Sequence, residues 1–224
     1  MTWMDYIAYA EQTRGVTLPE VYHRLAADGM LDWGPAGPRW SEEVFPRLLK
    51  HPPFLLISSD VELVDSDSML TDHFDCEFAF ELKPEYKQAF IPFVTVGNGD
   101  LYVFAYLDGA STPLIVRLKH DWDSEILAND LQDWMFMQIL EADRSWNCPD
   151  EDDEGFRRVL LTQLESHRPY LKPTHYDLLK EVYSREFHDS PHGDRILVSP
   201  EEAEDLINKY APCSRRGEEF DPYI

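Results

Sequence analysis

Basic residues are scarce in this chain: 20 Lys and Arg stand against 43 Asp and Glu in 224 residues, a formal net charge of −23. Phosphate recognition needs surplus cations to displace counterions, so the composition excludes a nucleic-acid binder of the usual kind. Cysteine is scarce too. Cys76, Cys148 and Cys213 are odd in number, far apart and without a C-x-x-C pair, which argues against a disulfide framework and for reduced thiols. No uncharged apolar run approaches the roughly 20 residues of a membrane-spanning helix, and the acidity opposes docking on anionic lipid. Met1-Thr2-Trp3-Met4-Asp5 lacks the basic n-region and apolar stretch of a secretory signal. The expectation is a cytoplasmic protein without membrane or nucleic-acid partners.

What is present suffices for a core. Hydrophobic residues make up 43% and aromatics 13%, too much for a wholly disordered acidic chain. The charge is uneven: residues 1–156 hold 30 acids and 10 bases, residues 157–224 hold 13 and 10. No base falls between Lys50 and Lys83, where Asp60, Glu62, Asp65, Asp67, Asp72, Asp75, Glu77 and Glu81 lie. A second run holds Asp121, Asp123, Glu125, Asp130, Asp133, Glu141 and Asp143, and residues 150–154 are all acidic. A single run of this kind ordinarily marks a solvated face. Three together also create a field that speeds association with a cation-rich protein and makes it salt-sensitive.

Periodicity outlines an α+β chain. Trp3 to Gln12 has helical spacing before Gly15, and a second helix starts at Thr17-Leu18-Pro19-Glu20. Trp33 to Pro38 is turn chemistry, Ser41 to Lys50 a short helix interrupted by Pro46, Phe54 to Ile57 a strand, and Ser59-x-x-Glu62 a capping box. Phe90 to Val96, Leu101 to Leu107 and Leu114 to Lys119 read as an antiparallel meander, joined through Gly97-Asn98-Gly99-Asp100 and Asp108-Gly109. The middle strand has apolar residues on both faces. Helices follow at Ile126 to Leu140, at Phe156 to Leu164, from Thr174-x-x-Asp177 and from Ser199-Pro200-Glu201-Glu202, with a short strand at Ile196 to Val198. The fold class is therefore α+β, a central antiparallel sheet flanked by helices, with residues 1–148 as the domain and 149–224 as a mostly helical extension on the same body.

This order of elements resembles the SUKH superfamily, whose members include fungal cell-wall assembly regulators and bacterial immunity proteins. The similarity rests on Leu18-Pro19-Glu20-Val21-Tyr22, on Phe90-Ile91-Pro92-Phe93 leading through Gly99-Asp100 into Leu101-Tyr102-Val103-Phe104, and on Pro113-Leu114-Ile115-Val116 with His120-Asp121 ahead of Leu131 and Trp134. It spans most of residues 17 to 140. Residues 33 to 51 are longer and richer in proline than the family's usual connection, and residues 150 to 224 extend beyond it. The resemblance implies a domain without an enzymatic site or cofactor that acts by occupying a cognate protein toxin, a nuclease in many cases, inside the producing cell. Charge nominates Asp65, Asp67, Asp72 and Asp75, with Asp121, Asp123 and Glu125, as the surface that meets the basic toxin.

Other chemistries find little support. There is no G-x-S-x-G, P-loop or H-E-x-x-H. Asp121-x-Asp123-x-Glu125 alternates carboxylates after a strand, as a hard-cation site of a metal-dependent hydrolase would, but lacks the glycine and distal Glu of an EF-hand loop. His188 and His192 are four apart, yet Pro191 breaks the helix a zinc pair would need. Acids around Cys148 raise rather than lower a thiol pKa. Trp33 and Trp40 fit core packing better than partner anchors. A regulatory or scaffolding module of the fungal type is the alternative binding role.

Overall fold

A computed structural model describes the chain except residues 36, 59–60, 77–80, 121–122, 145–151 and 191–194. In chain order the helices are α1 (Trp3–Arg14), α2 (Glu20–Ala27), α3 (Phe45–Leu48), α4 (Ser66–Ser68), α5 (Pro84–Lys87), α6 (Leu131–Leu140), α7 (Asp153–His167), α8 (Pro173–Tyr183) and α9 (Pro200–Tyr210). The strands are β1 (Phe90–Thr95), β2 (Leu101–Ala105), β3 (Leu114–Leu118), β4 (Ser124–Ala128), β5 (His188–Asp189), β6 (Arg195–Ile196) and β7 (Glu219–Phe220). The architecture is α+β, as the periodicity predicts. Contacts divide the chain into two compact units, one of residues 1–28, 61–134 and 213–224, the other of residues 29–60 and 135–212.

The first unit is built on a five-stranded antiparallel sheet in the order β1-β2-β3-β4-β7. Side chains alternate across a strand, so β2 must satisfy two surfaces. Leu101, Val103 and Ala105 join Phe90, Val116, Leu118 and Ile126 in one cluster, closed by Leu82 and Tyr223. On the opposite face, Phe104 stacks on Phe93 at 4.4 Å and meets Tyr22 of α2 at 5.1 Å, while Tyr102 meets Trp134 at 4.8 Å. Both faces are dry, which explains the unbroken apolar run of β2. Pro92 is tolerated because β1 is an edge strand, and the ladder is irregular between Pro92 and Val94. Tyr6 of α1 donates to the Pro92 carbonyl at 2.5 Å, which fixes the helix against this edge.

Local chemistry sets the helix ends. Thr2 and Asp5 form a reciprocal capping box, and Gly15 closes α1 in the left-handed region at φ 69°. Two sequence expectations fail here. Residues 126–128 belong to strand β4 rather than to a helix; α6 starts only after Asp130, whose carboxylate accepts the Asp133 N–H at 2.8 Å. Glu62 opens no helical turn but bridges Thr95 in antiparallel fashion, while Ser59 lies outside the described residues. The last dozen residues return to the sheet: β7 pairs with β4, and Tyr223 bridges Leu82.

In the second unit, residues 54–57 are fully buried but form no strand, contrary to the sequence reading. Phe54 and Leu56 donate to the carbonyls of Met30 and Pro53, whereas Leu55 and Ile57 take their partners from side chains of α7. Gln163 accepts the Ile57 N–H at 2.6 Å and donates to the Ile57 carbonyl at 2.8 Å, so one amide reproduces a rung of a β-ladder. His167 accepts the Leu55 N–H at 2.9 Å, and the Ser166 hydroxyl donates to the Pro52 carbonyl at 2.8 Å. Asp152 caps α7 through the Gly155 N–H, and Ser199 caps α9 through the Glu202 N–H. Helix α8 begins at Pro173 with no side-chain cap, so Thr174 does not open it as its spacing suggests. Trp33 and Trp40 stack at 6.1 Å, half-buried, with the Trp33 indole N–H donating to the Phe54 carbonyl.

Candidate protein-binding surface

The acidic segment at residues 65–75 lies along α1. At one end the Ser66 hydroxyl donates to the Met1 carbonyl, and the Met1 amine pairs with Asp67 at 3.0 Å. At the other end Arg14 donates to the Phe74 carbonyl at 3.0 Å and pairs with Asp75 at 3.4 Å. Between them the Phe74 ring meets Tyr9 at 5.2 Å and Tyr6 at 6.2 Å. The chain is held there because α4 has its own cap: Asp65 accepts the N–H groups of Asp67 and Ser68, each at 3.0 Å.

The four carboxylates of this segment are therefore unequal. Hydrogen bonds from the Ser68 backbone hold the Asp65 carboxyl below its ordinary pKa, so it stays ionised while serving as a cap. Asp67 and Asp75 each face a cation, and the neighbouring Asp67 carboxylate raises the pKa of the Met1 amine. Asp72 is exposed and accepts only the hydroxyl of Thr71 among the described residues. Asp5 adds a further charge on α1, held ionised by the backbone N–H and hydroxyl of Thr2.

Sequence reasoning missed the outward face of α1. An amphipathic helix normally turns polar residues to solvent. Here the exposed positions include Met1, Met4, Ala8 and Tyr9, with Met4 and Tyr9 each 43% exposed. Met1, Met4 and Tyr9 account for three of the four large exposed hydrophobic residues among those described. The signal was in the sequence as apolar residues at i, i+4 and i+5 beside those of the buried stripe. An apolar centre rimmed by charge is the composition of a protein-binding patch.

Two members of the second nominated group are placed elsewhere. Asp121 lies outside the described residues, as do His192, Cys148 and Glu151. Asp123 is exposed just before β4, and Glu125 on β4 pairs with Lys119 at 3.3 Å. Strand β4 is three positions from β1 in the sheet order, about 14 Å at the usual strand spacing. These residues thus do not join the segment beside α1. Cys76 is buried and Cys213 half-buried.

A buried charge cluster also went unread. Asp100 in the β1–β2 turn accepts Arg117 Nε at 2.8 Å and Asn98 Nδ2 at 3.1 Å on one oxygen, while the other accepts the His120 N–H at 3.1 Å and lies 2.8 Å from His120 Nδ1. Burial pushes its pKa up, but these hydrogen bonds outweigh burial and hold it below the ordinary carboxylate value. Its oxygens are occupied in tying the turn to β3, a structural task. Compared with protein-family models, curated proteins and solved structures, the chain matches none.

Proposed function

We propose that this protein is a non-enzymatic, cytoplasmic immunity protein of the SUKH type, which binds and neutralises a cognate cation-rich protein toxin through the α1 face and the acidic segment beside it. The observation that carries this reading is the exposed apolar pair Met4 and Tyr9 on the helix that bears Asp5, along which the segment carrying Asp65 and Asp72 is held. Buried apolar anchors set how long a complex lasts, and a charged rim sets how fast it forms. The first unit supplies the field: its residues hold 22 acids and 8 bases.

The test is co-expression with the product of the adjacent reading frame, followed by binding kinetics on the purified pair. A one-to-one complex is expected whose association slows as salt rises. Tyr9→Ala should speed dissociation by roughly tenfold, the scale of a modest hot spot. Replacing Asp65, Asp67, Asp72 and Asp75 by Asn should slow association at low salt without unfolding, since Asn caps a helix about as well as Asp. A complex indifferent to both changes, or turnover of a substrate by the purified protein, overturns the proposal.

A further inference from the structure

The second unit contains a groove whose chemistry is opposite to that of the chain as a whole. One wall is a stripe of α7 running from Glu154 to Glu165, about 16 Å at the helical rise, with Arg157, Arg158 and Leu161 between them. The other wall is the turn after α3, which brings Lys50 and His51 opposite. The cavity measures about 590 Å³, within the range of small-molecule sites and larger than a lone inorganic ion needs.

The two walls are locked together. Ser166, Gln163 and His167 hold residues 52–57 to α7 through the hydrogen bonds described above, so the turn carrying Lys50 and His51 is anchored immediately beyond its end. Arg157 is fixed in turn: its guanidinium lies 5.1 Å from the Phe187 ring centre and donates to the Tyr183 carbonyl. Of the two acids at the rim, Glu165 already accepts the Tyr176 hydroxyl at 2.5 Å and stands 4.0 Å from Arg168. The Lys50 ammonium is exposed and has no ion-pair partner among the described residues. Lys50, Arg157 and Arg158 thus line the cavity together with Leu161, in a chain with 20 bases.

The geometry points to a binding site for a small organic anion, a phosphate ester or carboxylate with a compact apolar body that rests on Leu161. Guanidinium groups pair both kinds of anion, and a pre-set wall reduces the ordering cost of binding. The site is independent of the protein-binding face of α1.

Titration of the isotope-labelled protein with phenyl phosphate, benzoate and phenol, followed by NMR, tests it. The three probes share one ring and differ in the charged group, so the two anions identify the preferred source. Saturable shifts at residues 50–51 and along α7 are expected for at least one anion, at roughly millimolar affinity or better. The double variant Lys50→Glu/Arg158→Glu should weaken binding at least about tenfold. Lys172→Glu/Lys209→Glu, with the same change in net charge, should not. If the first variant fails to fold, Lys50→Gln/His51→Gln in the exposed turn replaces it, with at least about threefold weakening expected. No saturable shift from either anion up to roughly 10 mM, equal binding of phenol, or binding unchanged in the groove variant overturns the proposal.

Discussion

His167 shows how one buried side chain couples the second unit to pH. Its ring is fully enclosed, and because Nε2 accepts the Leu55 N–H, the proton sits on Nδ1, which faces the Gln163 carbonyl at 2.8 Å. Burial lowers its pKa to about 4. The unfolded chain protonates this histidine below its ordinary value near 6.5, while the folded chain resists until about 4. Stability from this group is therefore complete above pH 6.5 and lost as pH falls towards 4, roughly 3 kcal/mol in total. Urea titrations across that window should show the slope, and His167→Gln, which keeps an acceptor for Leu55, should flatten it.

Two more buried side chains contribute stability through their hydrogen bonds. Gln163→Leu removes both partners of the Ile57 peptide inside the core, and a loss of roughly 3 kcal/mol in chemical denaturation is expected. Asp100→Ala leaves Arg117 and His120 without their shared acceptor, for which roughly 2 kcal/mol is expected by the same measurement.

Among the elements, β4 depends on chain that arrives late. Its outer edge is covered by β7, by the Ile126 N–H donating to the Glu218 carbonyl and by the Gly217 N–H donating to that of Ile126. Deleting residues 213–224 uncovers this edge and removes Tyr223 from the core cluster. The truncated protein is expected to melt lower and to aggregate, by calorimetry and light scattering, because an unpaired edge is a template for other strands. The meander β1 to β3 was legible because its short apolar runs are separated by turns that carry glycine. Strand β4 was not: Ser124-Glu125-Ile126-Leu127-Ala128 is too short to show a period, and it runs on into helical spacing. The decisive mark was Asp130, a cap that starts the helix two residues after the strand ends. Residues 54–57 look like a strand because they are buried as one; no sequence pattern reveals that Leu55 and Ile57 find their partners in the His167 and Gln163 side chains. The acidic segment was visible as composition, whereas its seat along α1 depends on contacts from Met1 and Arg14 that sequence spacing does not encode.

At the scale of the molecule, a charge of −23 makes the folded state repel itself. Ion pairs such as Arg195 with Asp189 and Arg215 with Glu218 soften this only locally. Raising salt from about 10 mM to about 200 mM shortens the screening length several-fold, so the melting temperature should rise by a few degrees; a fall would show that surface pairs outweigh net repulsion. The same salt should slow association with a basic partner, so stability and encounter rate move in opposite directions. That opposition separates a docking field from a charge that serves solubility alone.

Glu125 finds its β-partner in Glu219, with the sequence of residues 135–212 made in between. On the ribosome, then, the first unit has its meander early and must wait with one border open while the second unit is translated. Nascent chains halted before residue 213 are the form in which this protein would need a chaperone.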